Sequence, residues 1–145
     1  MNKKDMTKEE FTEYLWKANQ KALGLTDEAI EIAKKDPRRI ELVENSPELV
    51  KRKIVAEIVK AEHCANHKVG DKIVFRPVGS MIKEESCEHP CLYAIAPLAT
   101  LAYIIFDRIS SGIDATQIHI DRIKCWDVGW ENGGGGEVLM RVRVE

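Results

Sequence analysis

A chain of 145 residues, 44% of them hydrophobic and 32% charged, has the apolar mass for one core and is too short for two full-sized domains. Its 22 Lys and Arg stand against 24 Asp and Glu, a net charge of -2. Residues 1–51 hold 10 basic and 11 acidic side chains and the rest of the chain 12 and 13, so no segment offers the basic footprint that a nucleic-acid backbone demands.

The start, Met1-Asn2-Lys3-Lys4-Asp5, leads into charged helical sequence rather than the apolar stretch of a secretory signal, and a cytoplasmic protein is expected. Thr7-Lys8-Glu9-Glu10 has the form of a capping box, followed at helical spacing by Phe11, Tyr14, Leu15, Ala18 and Ala22, with Gly24 placed to end the helix. Thr26 caps a second predicted helix carrying Ile30 and Ala33. Asp36-Pro37 and Ser46-Pro47 each put a capping side chain before a proline at a first helical position, so two or three short helices are expected there. Residues 1–51 are thus read as a helical extension, and residues 52–145 as a separate α+β unit.

From Lys53 the period changes. Ile54, Ala56 and Ile58 alternate with Val55, Glu57 and Val59, the signature of a strand, and His67-Lys68-Val69-Gly70-Asp71 supplies turn residues before a second strand at Ile73-Val74-Phe75. Pro77 to Pro90 reads as a loop. The apolar run Cys91–Phe106, 16 residues long, falls short of the roughly 20 that span a bilayer, so a buried central helix is expected, kinked or begun at Pro97 and ended at Ser110-Ser111-Gly112. Ile118, Ile120 and Ile123 point to a third strand leading to Cys125-Trp126-Asp127. Gly133 to Gly136 reads as a flexible linker that lacks the Lys and Ser/Thr of a phosphate-binding loop, and Val138 to Val144 forms the last strand. The order β-β-α-β-β fits a four-stranded, mostly antiparallel sheet with the central helix on one face.

All four cysteines, Cys64, Cys87, Cys91 and Cys125, follow residue 63 and lie near predicted element boundaries. In a reducing compartment an even count does not imply disulfides, which leaves metal binding, catalysis or burial. Cys64-Ala65-Asn66-His67 sets a thiol and an imidazole close together in a turn, and Cys87-Glu88-His89-Pro90-Cys91 is denser still, with Cys91 at a helix N-terminus, where free N–H groups favour thiolate. Singly, each thiol is more often inert core than ligand, and His63 and His119 read as surface or capping residues. Together, Cys64, His67, Cys91 and Cys125, with Cys87 in reserve, form the candidate ligand set for zinc or an iron–sulfur cluster, which sequence does not separate.

Residues 56–145 resemble a family of small uncharacterised prokaryotic proteins. Its members show a Cys followed closely by Gly-His or a similar pair, then Val-Gly-Asp, a Cys-Pro-x-Ala-like helix start and a Cys-x-Asp. The matching pieces are Cys64-Ala65-Asn66-His67, Val69-Gly70-Asp71, Cys91-Leu92-Tyr93-Ala94 and Cys125-Trp126-Asp127. Leu92 stands where that family favours proline, and Cys87 is additional. The resemblance strengthens the site and implies no activity.

Two functions follow as expectations. One is a metal- or cluster-binding accessory or redox-related subunit, docking on a larger enzyme or on itself through Phe11, Tyr14 and Trp16 of the N-terminal helices, although that stripe also suits packing on the chain's own sheet. The other is a small enzyme with Cys91 as nucleophile or an open metal position as Lewis acid, His89 or His67 as base and Asp127 to orient it.

Overall fold

The computed structural model describes residues 6–145; the expectation about a secretory signal rests on Met1 to Asp5, which lie outside them. Helix α1 spans Lys8–Leu23, α2 Asp27–Ala33 and α3 Pro37–Lys51. The capping box at α1 is complete: the Glu10 N–H donates to the Thr7 hydroxyl at 3.2 Å and the Thr7 N–H to the Glu10 carboxylate at 2.8 Å. Thr26 caps α2 and Asp36 caps α3 through their side-chain oxygens.

Ser46-Pro47 does not start a new helix. Pro47 lies inside α3, which runs on as one element. A proline there leaves the Val43 carbonyl without its helical N–H partner, and the Ser46 hydroxyl donates to that oxygen at 2.7 Å instead.

Strands β1 (Ile54–Glu62), β2 (Lys72–Phe75), β3 (Arg122–Lys124) and β4 (Glu137–Val144) form one sheet in the order β2-β1-β4-β3, every neighbouring pair antiparallel. Helix α4, Leu92–Ser110, enters the chain between β2 and β3 and packs on one face. The fold is therefore α+β, with the expected four strands and buried helix. Ile54, Ala56 and Ile58 of β1, Ile73 and Phe75 of β2, and Val138, Met140, Val142 and Val144 of β4 meet Ala94, Leu98, Ala102, Ile105 and Ile109 of α4. The alternation that marks each strand puts these residues on a single side of the pleat.

Two departures from expectation shape the site end of the sheet. Register against β4 shifts between Ile58 and Lys60, a bulge after which Ala61, at an odd position, packs against the core that Ile54, Ala56 and Ile58 fill from even ones. The third strand is only three residues long, and Ile118 and Ile120 precede it.

Helix α4 has 19 residues and, by length and composition, is apolar enough to cross a membrane; its buried stripe packs on the sheet. The helix is continuous through Pro97, which neither starts it nor breaks it. The carbonyl that Pro97 leaves without a helical donor, that of Tyr93, accepts the Trp126 N–H at 3.0 Å. This bond ties the segment after β3 to the first turn of α4.

Trp16 is buried with Leu15, Ile30 and Val43 in a second, smaller core among α1, α2 and α3, with Phe11 packed against it. Phe11 and Trp16 of the aromatic stripe thus pack on neighbouring helices rather than on the sheet, so Trp16 is not available as a docking side chain, while Tyr14 is exposed. Phe11 and Tyr14 stack at 6.2 Å between ring centroids.

Candidate functional site

Four segments meet at the end of the sheet where β1 leaves and β4 begins: the turn after β1, the first turn of α4, the residues after β3 and the glycine loop before β4. Between them lies a cleft of about 610 Å3 whose walls include Cys64, His67, Cys91, Cys125 and Asp127. Three of the four thiols and the His67 imidazole thus line one cavity, although they come from four places in the sequence. Cys87 does not line it. All four cysteines are free, and all are half-buried against the main core.

His67 is the best-buried polar residue in the described chain, 5% exposed. The turn that carries it is closed by the Lys68 N–H donating to the Asp71 carboxylate at 3.0 Å and by the Asp71 N–H donating to the Lys68 carbonyl. His67 Nε2 accepts the backbone N–H of Cys91 at 3.0 Å. An acceptor nitrogen has no proton, so the neutral ring carries its hydrogen on Nδ1. Nδ1 faces Asp71 Oδ2 at 3.6 Å and Cys87 Sγ at 3.8 Å, both outside the cleft. The imidazole therefore fixes the position of Cys91 from behind. Burial and the nearby Asp71 carboxylate push the Cys87 thiol above its ordinary pKa, so Cys87 holds its proton there.

Cys91 is the N-cap of α4, and its own side chain makes no capping hydrogen bond. Its carbonyl accepts from Ala94 and Ile95 N–H, which closes the first turn, and its thiol is left to the cleft. Cys125 follows β3 directly. The Val138 N–H approaches its sulfur at 3.3 Å, the kind of contact that stabilises negative charge on sulfur.

Gly133 to Gly136 does not behave as a flexible linker. Asp127 Oδ1 accepts the N–H groups of Gly129 at 2.9 Å and Gly135 at 3.1 Å, which draws the loop around one carboxylate. The Gly129 N–H first, with those of Gly135 and Gly136 behind it, holds Asp127 below the usual carboxylate range against the opposing effect of desolvation. A Cβ on Gly134 would collide with Asp127 Oδ1, and one on Gly136 with the His63 carbonyl and, at 2.7 Å, the Cys64 nitrogen. The glycines are there because backbone approaches backbone, and that approach sets the Cys64 turn against the loop.

The sequence reading misses several residues. His63, read as a surface or capping residue, is exposed, and the surface it occupies is the cleft wall; it holds a left-handed backbone (φ 52°), the only described non-glycine residue to do so. Such a conformation costs of order 1 kcal/mol or more and collects at functional positions. Tyr93 and Trp130 complete the wall. Only the Cys-His turn itself hints at His63, and nothing in the local sequence marks Trp130, whose short 3-10 turn, Trp130–Asn132, is positioned by the Asp127 clamp. His89, by contrast, is out in solvent beside Glu88, with 86% of its side chain exposed.

As the side chains stand, no group of three or more His, Cys, Asp and Glu among the described residues is placed to hold a metal ion. The donors share a cleft without being drawn onto a common point. Comparison with family models, with curated proteins and with solved structures finds no match to this chain.

Proposed function

We propose that the cleft is a thiolate site for a soft metal ion, zinc or the iron of an iron–sulfur cluster, held by Cys64, Cys91 and Cys125 in a small cytoplasmic accessory or redox-related protein. The observation that supports this reading is that three free thiols from separate elements line one cavity, one of them at the N-terminus of a buried helix. A chance collection of core cysteines has no reason to meet at a cavity. Sulfur donors of this kind suit zinc, and they equally suit iron in clusters.

The enzyme reading, with Cys91 as nucleophile, has weaker support. His67 uses Nε2 to accept the Cys91 N–H, His89 is in solvent, and Asp127 accepts N–H groups of its own loop. Docking on a larger enzyme or self-association remains part of the proposal, through exposed parts of the N-terminal helices other than Trp16.

Purification of the full chain without oxygen, followed by metal analysis and an absorption spectrum, tests the reading. A brown protein absorbing near about 400 nm identifies a cluster, and a colourless one with one zinc per chain a zinc site. Protein that takes up neither iron nor zinc after reconstitution sinks it.

A further inference from the structure

Helix α4 has a second apolar face, away from the sheet. Ala94, Leu98, Ala102, Ile105 and Ile109 take the sheet side. On the other side Leu92 is 71% exposed and Tyr103 77%, with Tyr93 and Ile104 exposed as well. The only charged residues of the helix are Asp107 and Arg108, near its end, and the Arg108 guanidinium donates to the Asp114 carbonyl at 2.7 Å. A helix packed on one side ordinarily turns charged residues to water on the other, and a helix apolar all round is ordinarily buried all round. Here the apolar surface continues into a groove of about 370 Å3 between α4 and the turn after β2, where Val78 and Met81 stand across from Ala99, Tyr103 and Phe106.

We propose that this face is covered by a second copy of the chain, α4 against α4 across a two-fold axis. Leu92, Ala96, Ala99 and Tyr103 follow one another at intervals of four, three and four residues, which keeps them on one stripe of the helix. That series of intervals reads the same in both directions. Two antiparallel copies therefore set Leu92 against the partner's Tyr103 and Ala96 against the partner's Ala99, the self-complementarity that a two-fold contact requires. The small alanines fall where the two helices cross most closely, and the larger residues fall where the helices diverge. Val78, Met81, Leu92, Tyr93, Tyr103 and Ile104 together leave on the order of 600 Å2 open, taking about 150–250 Å2 for a whole aromatic side chain, so two copies bury more than the roughly 1,000 Å2 of a specific interface. The stripe itself carries no charge to be stranded on closing. A membrane surface fits less well: helices that lie on one carry Lys and Arg, whereas this face is bounded by Glu88 and Asp107. The surface is separate from the N-terminal helices, and the inference does not depend on the metal reading.

Sedimentation of the full chain over a concentration series tests this. The parent should form a species of twice the chain mass. Leu92→Lys alone and Tyr103→Glu alone should each weaken that association at least about tenfold, with circular dichroism unchanged because both side chains lie outside the core. Mixing the two variants should restore the dimer, since the introduced lysine and glutamate then meet across the axis. If either variant loses its helical signal, Ala99→Glu, at an exposed position of the same stripe, takes its place. A parent chain that is monomeric at every concentration overturns the inference. A dimer that all these variants leave intact overturns it by placing self-association elsewhere, and a mixture that stays monomeric overturns the antiparallel pairing. Flotation of the parent with vesicles of phosphatidylcholine and phosphatidylglycerol overturns it by assigning the face to a membrane.

Discussion

Four buried residues, Leu15, Trp16, Ile30 and Val43, close the core among α1, α2 and α3, whereas sixteen close the core between α4 and the sheet. All four cysteines pack against the larger cluster and none against the smaller. Helix α3 belongs to both: Val43 faces the helices and Leu49 the sheet core, while Asn45 Nδ2 donates to the Ser110 carbonyl at 3.1 Å and Arg76 to the Val50 carbonyl at 2.7 Å. The contrast teaches that the thiol cleft is a property of the sheet unit. The helices brace the C-terminal end of α4, the end opposite Cys91.

The largest effect on stability is expected from Ile105→Ala. Ile105 is fully buried between α4 and the sheet, and truncating such a side chain costs about 2–5 kcal/mol. Because the thiols share that core, metal retention should fall with stability in denaturant titration. Val43→Ala, in the smaller core, should cost less, about 1–3 kcal/mol, and leave retention unchanged at concentrations where the chain stays folded. Equal losses of retention in the two variants would erase the distinction between the two regions.

Gly136→Ala comes next. Its methyl group meets backbone, that of His63 and Cys64, rather than a side chain able to swing away, so the Cys64 turn or the glycine loop must shift, at about 1–3 kcal/mol. Thermal unfolding measures the cost. Lower metal retention than in a surface variant of equal stability would show that this close approach sets Cys64.

On the proposed metal reading, Cys91→Ser should strip most of the metal taken up on reconstitution, while Cys87→Ser, outside the cleft and beside a buried imidazole, should leave it largely in place. His67→Ala lies between them, because it removes the acceptor that holds the Cys91 backbone N–H. Competition with a chelator ranks all three. Equal losses for Cys87 and Cys91 would bring Cys87 into the ligand set.

A smaller effect concerns acid. Asp127 has its folded pKa depressed by the loop N–H groups, so it binds a proton less readily folded than unfolded. Its contribution to stability is present above the unfolded value, near about pH 4, and is lost as pH falls through the lower folded value. Asp127→Asn should therefore flatten the stability profile below about pH 4 relative to the parent, while lowering stability at neutral pH, as read by urea midpoints. A parallel profile would mean that the carboxylate charge plays no part in the clamp.

The smallest effect on the sheet is expected from deleting residues 1–45. The cut keeps Leu49 and every strand, and removes the Asn45 bond to Ser110. Circular dichroism should retain the strand signal with a lowered melting temperature. Loss of that signal would show that the small core is required by the large one.

Local pattern by itself determined the helix caps at Thr7, Thr26 and Asp36, the alternation of β1 and β4, the turn at Val69-Gly70-Asp71 and the apolar stripe of α4. Each of these is decided by residues within a few positions of one another, which is the range over which side chains cap, turn or alternate. Tertiary structure alone decided the rest. Whether Pro97 ends a helix depends on who satisfies the freed carbonyl, and that partner, Trp126, comes from across the fold, whereas at Pro47 the partner is the adjacent Ser46. The glycine run before β4 looks like a linker until the Asp127 carboxylate and the Cys64 backbone are seen to require it. The same holds for His67: a Cys-x-x-His spacing announces an imidazole near a thiol, but only the packed turn shows that the ring accepts from Cys91 and faces Cys87. A sequence motif specifies which donors are present, and hydrogen bonds between distant segments decide which of their lone pairs remain free.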